Sequence, residues 1–228
     1  MVDLRYSRNI GSAVSEEEFQ ILQNSRVFVA GCGGLGGNII MHLLRIGIGH
    51  ITVIDGDEFE PTNMNRQLLC MTDTLAQPKA LIAQKYAARV NPDVNLKAIC
   101  TRLDETNSDS LITGYDLVID ALDNIDSRRI LAAACDRVGV PLIYGGICGW
   151  AAQIALLTPG TAARKIKQIY PVGTTITDKS CLSFTPAFCA SIQCAEAVKA
   201  LLHKPSELDG NMLFTDLQNM EWELIPLI

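Results

Sequence analysis

Four glycines crowd one short run, Gly31-Cys32-Gly33-Gly34-Leu35-Gly36, directly after the apolar stretch Val27-Phe28-Val29-Ala30. A second apolar stretch ends at Asp55, nineteen residues beyond Gly36. Glycines between a strand and a helix let the backbone turn tightly and approach a phosphate, whose charge then rests against the free N–H groups of the helix start. A carboxylate closing the next strand reaches a ribose hydroxyl. The chemistry is nucleotide binding, with Gly31, Gly33, Gly34 and Gly36 at the phosphates. The motif alone names neither the nucleotide nor a reaction.

Other polar residues converge on the same rim. Lys79 follows Pro78 in the first turn of an expected helix, where the helix dipole disfavours a cation by roughly 0.3–1 kcal/mol unless an anion stands in front of it. Arg66 lies in a polar loop over residues 56–67, on the carboxyl side of the sheet. Asp120 and Asp123 leave the end of a fourth strand, and Asp57 stands beside Asp55. One crevice would thus hold a glycine turn, two cations for phosphate and carboxylates able to carry a hard ion such as Mg²⁺. The plainer alternatives are that Arg66 and Lys79 form surface ion pairs and that Asp123-Asn124 caps the following helix. A hydride-transferring dehydrogenase needs a proton donor or acceptor beside its substrate. His42 lies in an expected helix, His50 starts a strand, His203 ends a helix, and no Tyr-x-x-x-Lys spacing occurs.

The elements that must position these groups alternate. Ser15 with Glu18 three residues later forms a capping box for a helix reaching residue 24. Strands are expected at Arg26–Ala30, 50–55, 94–101, 115–120 and 141–146, with helices at 35–46, 78–90 and Ile125–Val138 between them. Strand, helix, strand in alternation predicts an α/β fold, a doubly wound, Rossmann-like, mainly parallel sheet behind an N-terminal helical arm. The last third breaks this rhythm. Residues 150–158 alternate as a strand, residues 159–179 have no clear period, Thr185-Pro186 starts a helix to about residue 203, and 212–216 and 222–226 read as closing antiparallel strands. We expect one domain over 1–228: an arm and helix (1–25), a nucleotide-binding core (26–146), and a crossover loop, late helix and closing strands (147–228).

Composition agrees. With 228 residues, 48% apolar and 19% charged, the chain can bury one sizeable core. No apolar run approaches the roughly 20 residues that cross a bilayer, and Met1-Val2-Asp3-Leu4-Arg5 does not open a signal peptide, so a cytoplasmic protein without a membrane partner is expected. Eight cysteines are scattered through apolar segments, which suits a reducing compartment. A net charge of −6 argues against a nucleic-acid partner, and the small cluster Arg164-Lys165-x-Lys167 reads as a solvated face.

Together, Arg5-Tyr6-Ser7-Arg8, the Gly31 to Gly36 turn, Asp55-x-Asp57, Asn63-x-x-Arg66-Gln67, Gln77-Pro78-Lys79, Asn91-Pro92 and Asp123-Asn124 resemble the MoeB, ThiF and HesA proteins, bacterial relatives of ubiquitin-activating enzymes. The resemblance runs over residues 5–216. It implies an adenylyltransferase that binds ATP with Mg²⁺ and activates the C-terminal glycine carboxylate of a ubiquitin-like, ThiS- or MoaD-like sulfur carrier ending in Gly-Gly. It implies that Asp55 or Asp57 holds the ribose, that Asn63, Arg66, Gln67 and Lys79 handle ATP with Arg66 and Lys79 on the phosphates, and that Asp123, followed by Asn124, holds magnesium. Arg8 would reach the triphosphate from the other subunit of a homodimer.

Two departures from the family pattern stand out. Its two Cys-x-x-Cys zinc pairs have no counterpart near 162–170 or at the C-terminus, so no structural zinc is expected. Its crossover-loop cysteine, eight residues before the helix-opening proline, falls on Asp178; Cys181 is the nearest candidate thiol, with an incidental buried thiol as the plainer reading. Two other readings of the same fold are an ATP-dependent dehydratase acting on threonylcarbamoyl-adenosine in tRNA and a non-catalytic dinucleotide-binding protein.

Overall fold

Strand β1 (Arg26–Ala30) is the axis of the sheet, paired in parallel with β2 (His50–Ile54) on one side and β4 (Leu117–Asp120) on the other. The computed structural model describes residues 3–228, so Met1 and Val2 of the arm lie outside the described residues. The full sheet runs β3 (Asn95–Ile99), β2, β1, β4, β5 (Leu142–Cys148), β6 (Ala151–Leu157), β7 (Asn211–Asp216), β8 (Glu221–Pro226), parallel through β5 and antiparallel thereafter. Chain order reverses between β1 and β4, which opens a crevice at the carboxyl ends of these strands.

Successive strand residues point to opposite faces, so the two faces carry separate cores. Val27, Val29, Ile51 and Ile119 face one cluster with residues of α2 (Gly34–Ile46), α3 (Lys79–Val90) and α7 (Phe184–Leu201). Phe28, Ala30, Ile54 and Val118 face the other, with α5 (Ile125–Val138) and α6 (Ala162–Ile169). Helix α1 (Glu16–Asn24) opens with the expected capping box, Ser15 and Glu18 bonding each other's backbone N–H groups. Asn91, just past α3, pins the arm: its amide donates to the Tyr6 hydroxyl at 2.6 Å and to the Leu44 carbonyl at 2.8 Å, while its oxygen accepts from Arg5 at 3.0 Å.

Two helices depart from the expectations. α4 (Ser108–Ile112) is a short helix between β3 and β4. α6 occupies part of the segment that lacked a period, because its free N–H groups at Ala162 and Ala163 are capped by the Asp136 carboxylate of α5, at 2.9 Å each. The cap is distant in sequence, so no local signal announces the helix. The late helix α7 begins at Phe184, just before Thr185-Pro186, and β5 runs to Cys148, past the expected end.

Helix α2 approaches β1 at close quarters. A Cβ on Gly36 would stand 1.9 Å from the Gly31 carbonyl oxygen, against backbone that cannot yield. Gly36→Ala is therefore expected to destabilise the protein by about 3 kcal/mol or more, read as a fall in the denaturant midpoint. An unchanged midpoint would contradict this packing.

Candidate functional site

A cleft of about 550 Å³ opens at the crevice, lined by residues from the carboxyl ends of β1, β2 and β4, the loop after β2, and the crossover segment before α7. Gly31 enters it with φ +106°, and a Cβ there would sit 2.5 Å from the Ala121 carbonyl oxygen, so only glycine joins β1 to the turn. Gly33 differs: its Cβ would meet nothing nearer than the Gln67 amide nitrogen at 3.6 Å. Gly33 is the cap residue of α2 and offers no side-chain partner, which leaves the first N–H groups of α2 and the positive end of its dipole for an anion.

Asp55 and Asp57 take different positions. Asp55 Oδ2 accepts the Cys32 N–H at 2.8 Å and Oδ1 accepts the Asp57 N–H at 2.9 Å, which leaves acceptor capacity on both oxygens. Burial pushes its pKa up, opposed by those two bonds and by Lys79. The Asp57 carboxylate is half exposed and faces cations: Arg102 at 3.0 Å and Lys79 at 3.9 Å. Lys79 is the first residue of α3 and is buried, its ammonium 6.0 Å from the centre of the Phe59 ring.

In the loop after β2, Arg66 bonds the Thr62 carbonyl at 3.1 Å and Asn65 Oδ1 at 2.8 Å, and it has no carboxylate partner among the described residues. The expected alternative of a surface ion pair does not occur there. Asn63 lies outside the cleft lining. Its oxygen accepts the Glu60 N–H at 3.1 Å, and its carbonyl accepts the N–H groups of Arg66 and Gln67, so it shapes the turn that presents both. Gln67 lines the cleft with its Oε1 buried and unpartnered.

At the end of β4 the aspartates separate. Asp120 was expected at the rim as a possible metal carrier; it is fully buried, its Oδ2 2.8 Å from the Arg128 guanidinium and its Oδ1 accepting the Leu122 N–H at 2.9 Å. Asn124 caps α5 by accepting the Ser127 N–H at 2.8 Å, as the plainer alternative anticipated. Asp123 is left exposed in the cleft with only the Asn124 amide, at 3.4 Å, as partner. It has room for a cation carried on phosphate. Among the described residues no group of three or more His, Cys, Asp or Glu side chains is placed to hold a metal by itself.

Cys181 lines the cleft beside Asp178, with its thiol pushed up by burial and lowered only in part by Arg66. Such a thiol is protonated at neutral pH, which disfavours it as a nucleophile. Arg8 sits exposed on the N-terminal arm and is not part of this chain's cleft. Arg102, Arg128 and Tyr170 also line the cleft and were not anticipated. Arg102 carried a readable signal, since it directly follows the third strand on the same carboxyl rim as Arg66. Arg128 lay inside a helix, where sequence gives no sign of its inward aim.

The ThiF family model matches residues 6–227 of this chain. The chain is 36% identical over 227 residues to the SAMP-activating enzyme E1 of Haloferax volcanii, covering 97% of this chain and 84% of that protein. It is 33% identical over 223 residues to the sulfur carrier protein adenylyltransferase of Thermus thermophilus, covering 93% of this chain and 82% of that protein. The crystal structure of Escherichia coli MccB with ATP is alike in fold, with a TM-score of 0.84 at 22% identity over 99% of this chain and 72% of that one.

The raised pKa of Asp55 has a defined sign. Its folded value lies above the unfolded one, so the ionised form disfavours folding at neutral pH, and this cost is relieved as pH falls through the raised value. A carboxyl titration by NMR is expected to place Asp55 above the surface aspartates. Lys79→Met should move it further up, since the ammonium lowers it; a downward move would contradict the geometry.

Proposed function

This chain belongs to the ThiF family, and on that premise we infer that it is an ATP-dependent adenylyltransferase of the MoeB and ThiF type. Its substrate is the C-terminal glycine carboxylate of a ubiquitin-like sulfur carrier. The carboxylate oxygen attacks the α-phosphorus of ATP, a new C–O–P bond forms, the bond from α-phosphorus to the bridging oxygen breaks, and pyrophosphate leaves with those electrons. The reading is supported by relatives whose names give activation of SAMP in one case and sulfur carrier protein adenylyltransferase in the other.

The observation that carries the reading to this chain is the set of groups left without partners on one rim. Among the described residues these are the start of α2 without a side-chain cap, Arg66 without a carboxylate in contact, and Asp123 without a basic side chain in contact. In this reading the glycine turn cradles the phosphates, Asp55 accepts from the ribose, and Arg66 and Lys79 neutralise charge that spreads over the phosphate oxygens as the bond breaks. Gln67 offers its unpartnered oxygen beside Gly33. Bound Mg²⁺ would be held through the phosphates by Asp123 and would supply further charge neutralisation. Catalysis of this kind rests on positioning and electrostatics, so a histidine base is not required.

A homodimer completes the reading: Arg8 lies away from its own chain's cleft and would serve the partner's. Purified protein is expected to exchange labelled pyrophosphate into ATP only when a carrier ending in Gly-Gly is present. Arg66→Ala or Asp123→Ala should lower exchange by about 100-fold or more, and persistent exchange would overturn the assignment. Mixing inactive Arg8→Ala and Arg66→Ala chains should restore measurable exchange, because one site of each mixed dimer keeps both arginines. No recovery on mixing would mean that Arg8 does not serve the partner's site.

A further inference from the structure

We propose that Arg102 is a base-binding residue of this site, its guanidinium lying on the outer face of the nucleotide's purine ring. The proposal rests on the ATP reading above and goes beyond it to a residue that the sequence motifs leave out. The sheet order supplies the first step. Phosphates belong at the start of α2, behind β1, and the ribose at Asp55, behind β2; the next strand outward is β3, so the base falls over the end of β3. Arg102 and Leu103 come three and four residues after the end of that strand, and both line the cleft.

The second step is how firmly the Arg102 segment is held. A Cβ on Gly56 would stand 2.6 Å from Arg102 Cγ and 3.0 Å from its backbone nitrogen, so the stem of the arginine lies flat on a glycine that has no side chain to lift it away. The Arg102 carbonyl accepts from the Asn107 amide at 2.9 Å, and Asp104 accepts the N–H groups of Thr106 and Asn107 at 2.8 and 3.1 Å, which fixes the turn that follows. At the far end the guanidinium meets Asp57 Oδ1 at 3.0 Å. Asp57 in turn donates its N–H to Asp55, so the ribose carboxylate and the arginine plane are set by one short connection.

The third step is chemical. The floor under this end of the cleft is apolar, formed by Ile54, Leu103 and Leu122, which suits one face of a purine. The Arg102 side chain is 83% exposed, and an exposed ion pair with Asp57 is worth little for stability. A planar guanidinium stacks on an aromatic face and is covered by it in return. Arg102 thus has a task that the free protein does not give it.

The test compares ATP with inorganic tripolyphosphate, which has the phosphates and lacks the base, by calorimetric titration of the full chain. Arg102→Ala is expected to weaken ATP binding about three- to tenfold and to leave tripolyphosphate binding unchanged. Arg102→Lys keeps the charge, loses the plane, and should behave nearly like the alanine variant. In pyrophosphate exchange the loss should appear in KM for ATP with kcat nearly unchanged. Because Arg102 is exposed, both variants should keep the parent's unfolding midpoint. An equal loss for tripolyphosphate would make Arg102 a phosphate contact and overturn the proposal, as would unaltered ATP affinity. Absence of ATP binding by the parent protein would overturn the adenylyltransferase reading as well, whereas normal parent binding with an indifferent Arg102→Ala overturns this proposal alone.

Discussion

The buried pair of Asp120 and Arg128 is the constraint on which the crevice depends. Both side chains are out of water, and a buried charge is tolerated only when it is paired; here the pair is made, and of the guanidinium nitrogens Nε alone is buried without a hydrogen-bond partner among the described residues. Arg128 meets Asp120, the Gly145 carbonyl at 2.7 Å and the Leu122 carbonyl, which ties the end of β4, the start of α5 and the middle of β5 to one cation. Gln193 extends the tie to α7, donating to the Asp120 carbonyl at 2.8 Å, and its amide fills the space that a Cβ on Gly145 would need. The guanidinium also lies over the Tyr144 ring, whose hydroxyl is 2.7 Å from that of Tyr170, where the crossover segment begins. A single ion pair therefore sets the cleft floor and one anchor of the loop above it.

Around that floor the charges sort by whether the fold has already used them. Asp120 and Asn124 are committed, the first to Arg128 and the second to the cap of α5. Asp57 holds cations, Asp55 is half committed to backbone N–H groups, and among the described residues Arg66 and Asp123 have no opposite charge in contact. A site built to stabilise a charge that develops during reaction needs donors and carboxylates of this second kind, held in place by neighbours that make no demand on their charge. Asn63 acts in that supporting way, since its carbonyl and amide oxygen fold the turn that carries Arg66 and Gln67.

Much of this was readable from residue order because the physics involved is local. The capping box at Ser15 and Glu18 depends on residues three apart, and the glycine turn on backbone freedom within six positions. The buried strands declared themselves as apolar runs, and their alternation with helices gave the doubly wound sheet. α6 escaped because Asp136, which caps it, sits in another helix. Asp120 was misplaced at the rim for a related reason: as the last residue of β4, nothing in its neighbourhood said whether its carboxylate would turn outward or meet a cation eight positions ahead.

The sequence by itself determined the order of elements, the glycine turn between the first strand and its helix, and the set of residues through which the chain resembles its family. Those properties follow from side-chain periodicity and short-range spacing. Only the tertiary structure decided which charges are free. It buried Asp120 against Arg128, bound Asn124 to its helix, gave Asp55 and Asp57 different partners, and brought Arg102 to the cleft from the segment after β3. Charges act through space, and whether two of them meet is settled by packing distant segments together, which no local pattern records.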